Sequence, residues 1–278
     1  MIQKPVLGEI TQGTLFTCAI ADRYADKRVH GLAITARCDI ANNKYPVLNY
    51  LPVVTLLDWL HCDGIEILIE NSRKNQSGSF DTILKQASIA TSVLETIPRQ
   101  TVVTSFFDDT NATKTRKKLA ARAHELADQL DRLEALDLDC VKDRNWFLSA
   151  HQKEVSALIK ELINNKVSSF YYLPSVTDEN ENEGYVVLLR ESAFLPRRIA
   201  KEVANGLDRP VSSNSWLDSH LSFAHDDFAM PVGRIPSPNI EHILQTFSYM
   251  FGRIGLEDYS SDFVSDVCAR NFLKEETA

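Results

Sequence analysis

The chain has 278 residues, 44% of them apolar, enough to bury the core of one large domain or two ordinary ones. Lysine and arginine number 30 against 38 aspartate and glutamate, and the net charge of -8 excludes a uniformly basic coat for nucleic acid while leaving room for a local basic patch. Ten glycines are about half the usual share, and none stands in a G-x-G-x-x-G or G-x-x-x-x-G-K-[ST] arrangement, so the phosphate-cradling loops of nucleotide-driven motors are missing.

Residues 9 to 21 read as a β-favouring stretch carrying Ile10, Leu15, Phe16, Cys18 and Ile20, residues 22 to 28 as a charged turn, and residues 30 to 35 (HGLAIT) as a short apolar strand. Residues 45 to 56, rich in β-branched and aromatic side chains, predict another strand. In residues 64 to 70 (GIEILIE), Ile65, Ile67 and Ile69 alternate onto one face and predict a further one. These strands together predict a small, strongly curved antiparallel sheet.

The period then changes. Phe80, Ile83, Ala87, Ala90, Leu94 and Ile97 fall three or four apart, which predicts a helix over 79–97 stopped by Pro98. A longer helix is expected over 112–136, where Leu119, Ala123, Leu126, Leu130 and Leu133 form a near-heptad seam that wants a partner. Asp143 is placed to cap a third helix running to about Asn164, with Phe147, Val155, Leu158 and Leu162 inward. Strands return at 167–176 and 184–191, flanking an acidic DENENE turn that reads as the solvated tip of a hairpin. Pro196 starts a helix carrying Ile199 and Val203, with Gly206 as its stop, and residues 208 to 227 look irregular. A last strand over 228–235 leads through Ser237-Pro238 into a helix with Ile240, Ile243, Leu244, Phe247 and Phe251 on one face, ending at Gly252. From about Ser260 the tail is a weak amphipathic segment.

Three clusters invite a chemical reading. His220, His225, Asp226 and Asp227 resemble a metal-ligand set, but i to i+5 spacing puts the two imidazoles on different sides of a helix or strand, so no metal and no cofactor is expected. Cys38-Asp39 and His61-Cys62-Asp63 are candidates for a thiol nucleophile, against the plainer reading of core thiols beside turn aspartates. Arg116, Lys117, Lys118 and Arg122 crowd the first turns of the long helix and Glu125, Asp128, Asp131 and Glu134 its later ones, which opposes the macrodipole preference. That basic end is the candidate nucleic-acid-binding patch, with an ordinary solvated face as the alternative; Arg197, Arg198 and Lys201 form a smaller one. The five cysteines, Cys18, Cys38, Cys62, Cys140 and Cys268, form no C-x-x-C pair and are expected to be reduced. With no membrane-length apolar run and no leader pattern in MIQKPVLGEI, a cytoplasmic protein without membrane contact is expected.

The order GEITQGTLFTCAIA, HGLAITARCDIANN and LPVVT resembles the MazF/PemK toxins, in which G-[DE]-I opens a small SH3-like barrel; here Gly8-Glu9-Ile10 matches the opening and Pro52 to Thr55 the third strand. The resemblance implies an SH3-like barrel, with its first part over 1–78 and its closing strand and helices over 166–259. The long helical block over 79–165 has no place in the compact toxin and reads as an insertion, which with a tail over 260–278 makes an α+β fold. The resemblance also implies ribonuclease chemistry through an arginine at the start of the second strand and a threonine on the third. Thr55 fills the second role, and Arg28 or His30 stands where the arginine is expected. Loss of a charge-stabilising donor costs orders of magnitude in rate, so a barrel kept for binding is the more economical expectation.

A second resemblance rests on the segments from Gly31 to Lys44 and from Ile235 to Leu256. They are similar to the middle components of ABC-three-component or Lamassu-type antiphage systems. This implies an accessory subunit whose partners are an SMC/Rad50-like ATPase and an effector nuclease, with Leu119, Ala123, Leu126, Leu130 and Leu133 as the partner-binding seam. An endoribonuclease toxin and a DNA-binding regulator are the alternatives.

Overall fold

The computed structural model describes residues 2–107, 113–177, 183–212, 214–251, 263 and 265. Its strands are β1 (Thr14–Phe16), β2 (His30–Ala33), β3 (Val47–Thr55), β4 (Phe170–Leu173), β5 (Tyr185–Leu188), β6 (Ala193–Pro196), β7 (Leu207–Asp208), β8 (Phe228–Ala229) and β9 (Pro231–Arg234). β7 and β8 pair with each other, and the rest form one antiparallel sheet in the order β4-β5-β3-β2-β1-β9, with β6 also on β3. The nine-residue β3 is the spine: Val47 to Tyr50 pair with β6, Tyr50 to Val53 with β2, and Val53 to Thr55 with β5. A strand that changes partners along its length must bend, and the sheet curls into a half-barrel whose edges, β4 and β9, do not pair.

Alternation along these strands loads both faces with apolar side chains. One face presents Phe16, Tyr50, Val54, Val186 and Leu188 to Trp59, to α8 (Arg197–Ala204) and to the helical block. The other presents Leu15, Leu32, Leu51, Val53 and Val187 to Ile240 and Ile243 of α10 (Asn239–Phe251). Gly31 is required by the first face: a Cβ there would sit 2.2 Å from Cζ of Phe16, whose ring is fully buried edge-on to Tyr50 at 5.2 Å.

The helical block consists of α3 (Ile65–Gln86), α4 (Arg99–Phe107), α5 (Lys114–Glu134), α6 (Val141–Ala150) and α7 (Gln152–Ile163). α3 belongs to two cores. Ile65, Leu68 and Ile69 pack under the sheet, whereas Phe80, Ile83 and Leu84 pack with Val102, Val103 and Phe107 of α4 and with Ala123, Leu126, Ala127 and Leu130 of α5. Between them, residues 70 to 79 bury no side chain. α5 is shared in the same way, because Leu133 joins the sheet core.

Several sequence expectations change. Residues 64 to 70 are helical, not a strand: the alternating pattern passes over Leu68, which with Ile65 and Ile69 makes the i, i+3, i+4 face that is buried, while Ile67 is half-exposed. That helix starts from α2 (Leu56–Trp59) through a π turn at Leu60–Gly64, so it crosses residue 79 without a break. It ends at Gln86, eleven residues before the expected end at Ile97, and Ser88 takes a φ of 58° where the chain turns out. The helix expected from Asp143 to Asn164 is two, separated at His151 (φ −118°, ψ 37°), and Asp143 accepts the backbone N–H of Asp137 instead of capping. Of residues 9 to 21, only Thr14–Phe16 is strand.

The seam on α5 has its partner inside the chain. Ala123, Leu126 and Leu130 are buried against α3 and α4 and Leu133 in the sheet core, which corrects their assignment to an outside subunit; Leu119 is only partly buried. The hairpin β4-β5 forms as expected, with Leu173 opposite Tyr185; most of its acidic tip, residues 178 to 182, lies outside the described residues. Pro196 precedes α8, and Gly206 follows it at φ 85°, the left-handed conformation of a helix stop. Gly252, Cys268 and the tail apart from Phe263 and Ser265 also lie outside the described residues.

Candidate functional site

The residues proposed for ribonuclease chemistry converge on one end of the sheet. His30 pairs with Val53, and Thr55 with Tyr185, so His30, Thr55 and Tyr185 share a face, with the His30 and Tyr185 rings 5.8 Å apart edge to face. Each group is engaged structurally. The Thr55 hydroxyl donates to Oδ2 of Asp58 at 2.6 Å and accepts the Asp58 N–H at 3.1 Å, capping α2. Arg28 reaches Asp226 at 3.3 Å and the His225 carbonyl at 3.1 Å. His30 is 6% exposed, its Nδ1 has no hydrogen-bond partner, and burial, helped by the Arg28 cation, lowers its pKa to about 4. A histidine that stays neutral down to that pH does not donate a proton near neutrality.

The thiols are equally quiet. Burial pushes Cys18 up to about 12 and raises Cys62, whose Sγ lies 3.7 Å from the Arg23 carbonyl oxygen. Thiolate is the nucleophilic form, so neither is activated. His225 Nε2 and His220 Nδ1 each sit 2.9 Å from a backbone carbonyl oxygen, those of Asp26 and Trp216. Among the described residues no group of three or more His, Cys, Asp or Glu is placed to hold a metal ion.

Sequence reasoning missed a polar centre that the π turn creates. The extra residue of that turn aims Asp63 inward, where it takes hydrogen bonds from the Tyr24 hydroxyl and, at 2.6 Å, from Arg23; the same guanidinium reaches Glu66 at 2.6 Å. Burial and the Asp63 contact raise the Tyr24 pKa, and burial, with Asp63 nearby, raises that of Glu191. Arg23, Asp63, Glu66 and Glu191 line a cleft of about 470 Å³ beside Phe170 and Arg190, with Tyr24 buried behind them. The Arg23 guanidinium already bridges two acids of the same chain, so the centre ties the 3-10 turn at Asp22–Tyr24 to the π turn and the start of α3.

A larger cleft, about 670 Å³, opens at the far end of the helical block, where the ends of α3 and α4 meet the start of α5. Ile83, Ala87, Phe107 and Leu119 form its apolar floor, and Arg116, Lys118 and Arg122 its rim; Lys117 points elsewhere on the exposed first turn. The charge reversal along α5 now has a physical account at one end. Arg99 of α4 pairs with Asp131 and, at 2.8 Å, with Glu134, and Gln100 donates to Asp128 at 2.8 Å, so the acidic half is held inside the chain. In the basic half Arg122 reaches Glu125 at 2.6 Å, whereas Arg116, Lys117 and Lys118 form no ion pair among the described residues. Thr113 caps the helix by accepting the Arg116 N–H at 3.4 Å. No described helix is long and apolar enough to cross a membrane. Compared with protein-family models, curated proteins and solved structures, the chain has no significant match, so its function has to be argued from these side chains.

Proposed function

We propose that the chain is a noncatalytic accessory subunit of a cytoplasmic, multi-protein bacterial antiphage complex, bridging an SMC/Rad50-like ATPase and an effector nuclease carried on separate chains. In this reading the half-barrel is an SH3-like barrel of MazF/PemK descent and the helical block is an insertion that supplies a docking surface. The observation that carries it is the character of the cleft between α3, α4 and α5: apolar floor, cationic rim, and no acid–base pair or activated nucleophile among its described lining residues. Such a lining favours binding over turnover of a substrate.

The test is co-expression of the full chain with the products of the genes on either side. Stoichiometric recovery of an ATPase and a nuclease with the tagged chain is the expected result. A chain that stays monomeric and recovers neither neighbour refutes the reading.

A further inference from the structure

From the lining of the cleft between α3, α4 and α5 we infer the chemistry of its occupant: a short acidic segment of another protein, anchored by apolar side chains. The inference rests on the accessory-subunit reading and adds the class of partner. Four features favour this occupant. Arg116, Lys118 and Arg122 line the cleft on the two sides of Leu119, and neither Arg116 nor Lys118 forms an ion pair among the described residues. They sit on the first turns of a 21-residue helix, where the backbone adds positive potential of its own. Behind them the floor of Ile83, Ala87, Phe107 and Leu119 is apolar, and Phe106 stands 45% exposed at its lip. A cleft of about 670 Å³ accommodates two or three large side chains, comparable to a small-molecule site.

Apolar anchors would desolvate that floor while carboxylates meet the rim, the arrangement in which aromatic and aliphatic anchors in a pocket dominate affinity and rim charges set specificity. A nucleic-acid backbone fits less well. Phosphates would meet the cations but leave the apolar floor uncovered. Stacking would need several exposed rings, and Phe106 is the one exposed ring among the described lining residues.

Selection of a displayed library of random peptides on the full chain tests the assignment, with single-stranded DNA and RNA oligonucleotides as competing probes. The expected outcome is enrichment of peptides that combine Asp or Glu with Leu, Phe or Trp. Their affinity should fall about 100-fold in Arg116→Glu/Arg122→Glu and about tenfold in Phe106→Ala, with unchanged thermal unfolding. Selected peptides without acidic bias, peptides that bind both variants as well as the parent, or oligonucleotides that displace them through the same residues would overturn it. The two proposals fail separately. If the Arg116→Glu/Arg122→Glu chain still recovers the neighbouring ATPase and nuclease, the cleft assignment falls and the accessory role stands. If the parent selects acidic peptides but recovers neither neighbour, the reverse holds.

Discussion

Protonation of His30 is the sharpest test of how the sheet end is built. Burial holds this imidazole neutral, lowering its pKa from 6.5 to about 4. In the unfolded chain it takes up its proton near pH 6.5, so between that pH and 4 the unfolded state binds more protons than the folded one. Its contribution to stability is therefore complete above pH 6.5 and is lost as the pH falls through about 4. At about 1.4 kcal/mol for each pH unit across that window, the loss reaches about 3 kcal/mol, a large part of the 5–15 kcal/mol typical of a folded domain. Urea unfolding of the parent and of His30→Leu at a series of pH values isolates the effect, because every carboxylate titrates alike in both. The parent should lose about 3 kcal/mol more than the variant between pH 6.5 and 4. Parallel losses in the two chains, or an imidazole that titrates near 6.5 by NMR, would refute the burial argument and reopen a proton-transfer role for His30.

Other substitutions address the remaining parts. Leu130→Ala opens a cavity in the fully buried α3-α4-α5 core and should cost about 2–5 kcal/mol by chemical denaturation. Gly31→Ala drives a Cβ into the immobile Phe16 ring and should cost at least 1–3 kcal/mol, read as a lower melting temperature. Thr55→Ala removes the cap of α2 and should cost about 1 kcal/mol without altering any RNA-degrading activity of the preparation, which a catalytic threonine would abolish. Gly78→Ala, inside α3 with nothing within 4 Å of the added carbon, should stabilise by about 0.5–1 kcal/mol, and a destabilised variant would contradict the open surroundings of that position.

The elements most legible in the sequence are those whose period has a single interpretation. The seam of α5 and the β4-β5 hairpin follow directly from spacing. Residues 64 to 70 were ambiguous because Ile65, Ile67, Leu68 and Ile69 satisfy both periods, and burial under the sheet decides in favour of the helix. The break at His151 has no composition signal, since both flanking segments favour helix. The basic cluster was visible as charges at odds with the helix dipole, but its apolar floor was not: Ile83, Ala87, Phe107 and Leu119 come from three helices, and tertiary packing alone brings them together. The Tyr24–Asp63–Arg23 centre depends on a π turn that no local pattern announces.

α3 runs from the sheet core to the bundle core and α5 runs back from the bundle core to the sheet core, and two struts side by side constrain motion more than one. α3 alone spans about 33 Å over its 22 residues. Swinging the block on the sheet requires both rods to bend together, which no single loop can absorb. The cleft at the distal end and the half-barrel at the proximal end are thus held at a fixed separation, like two marks on a ruler.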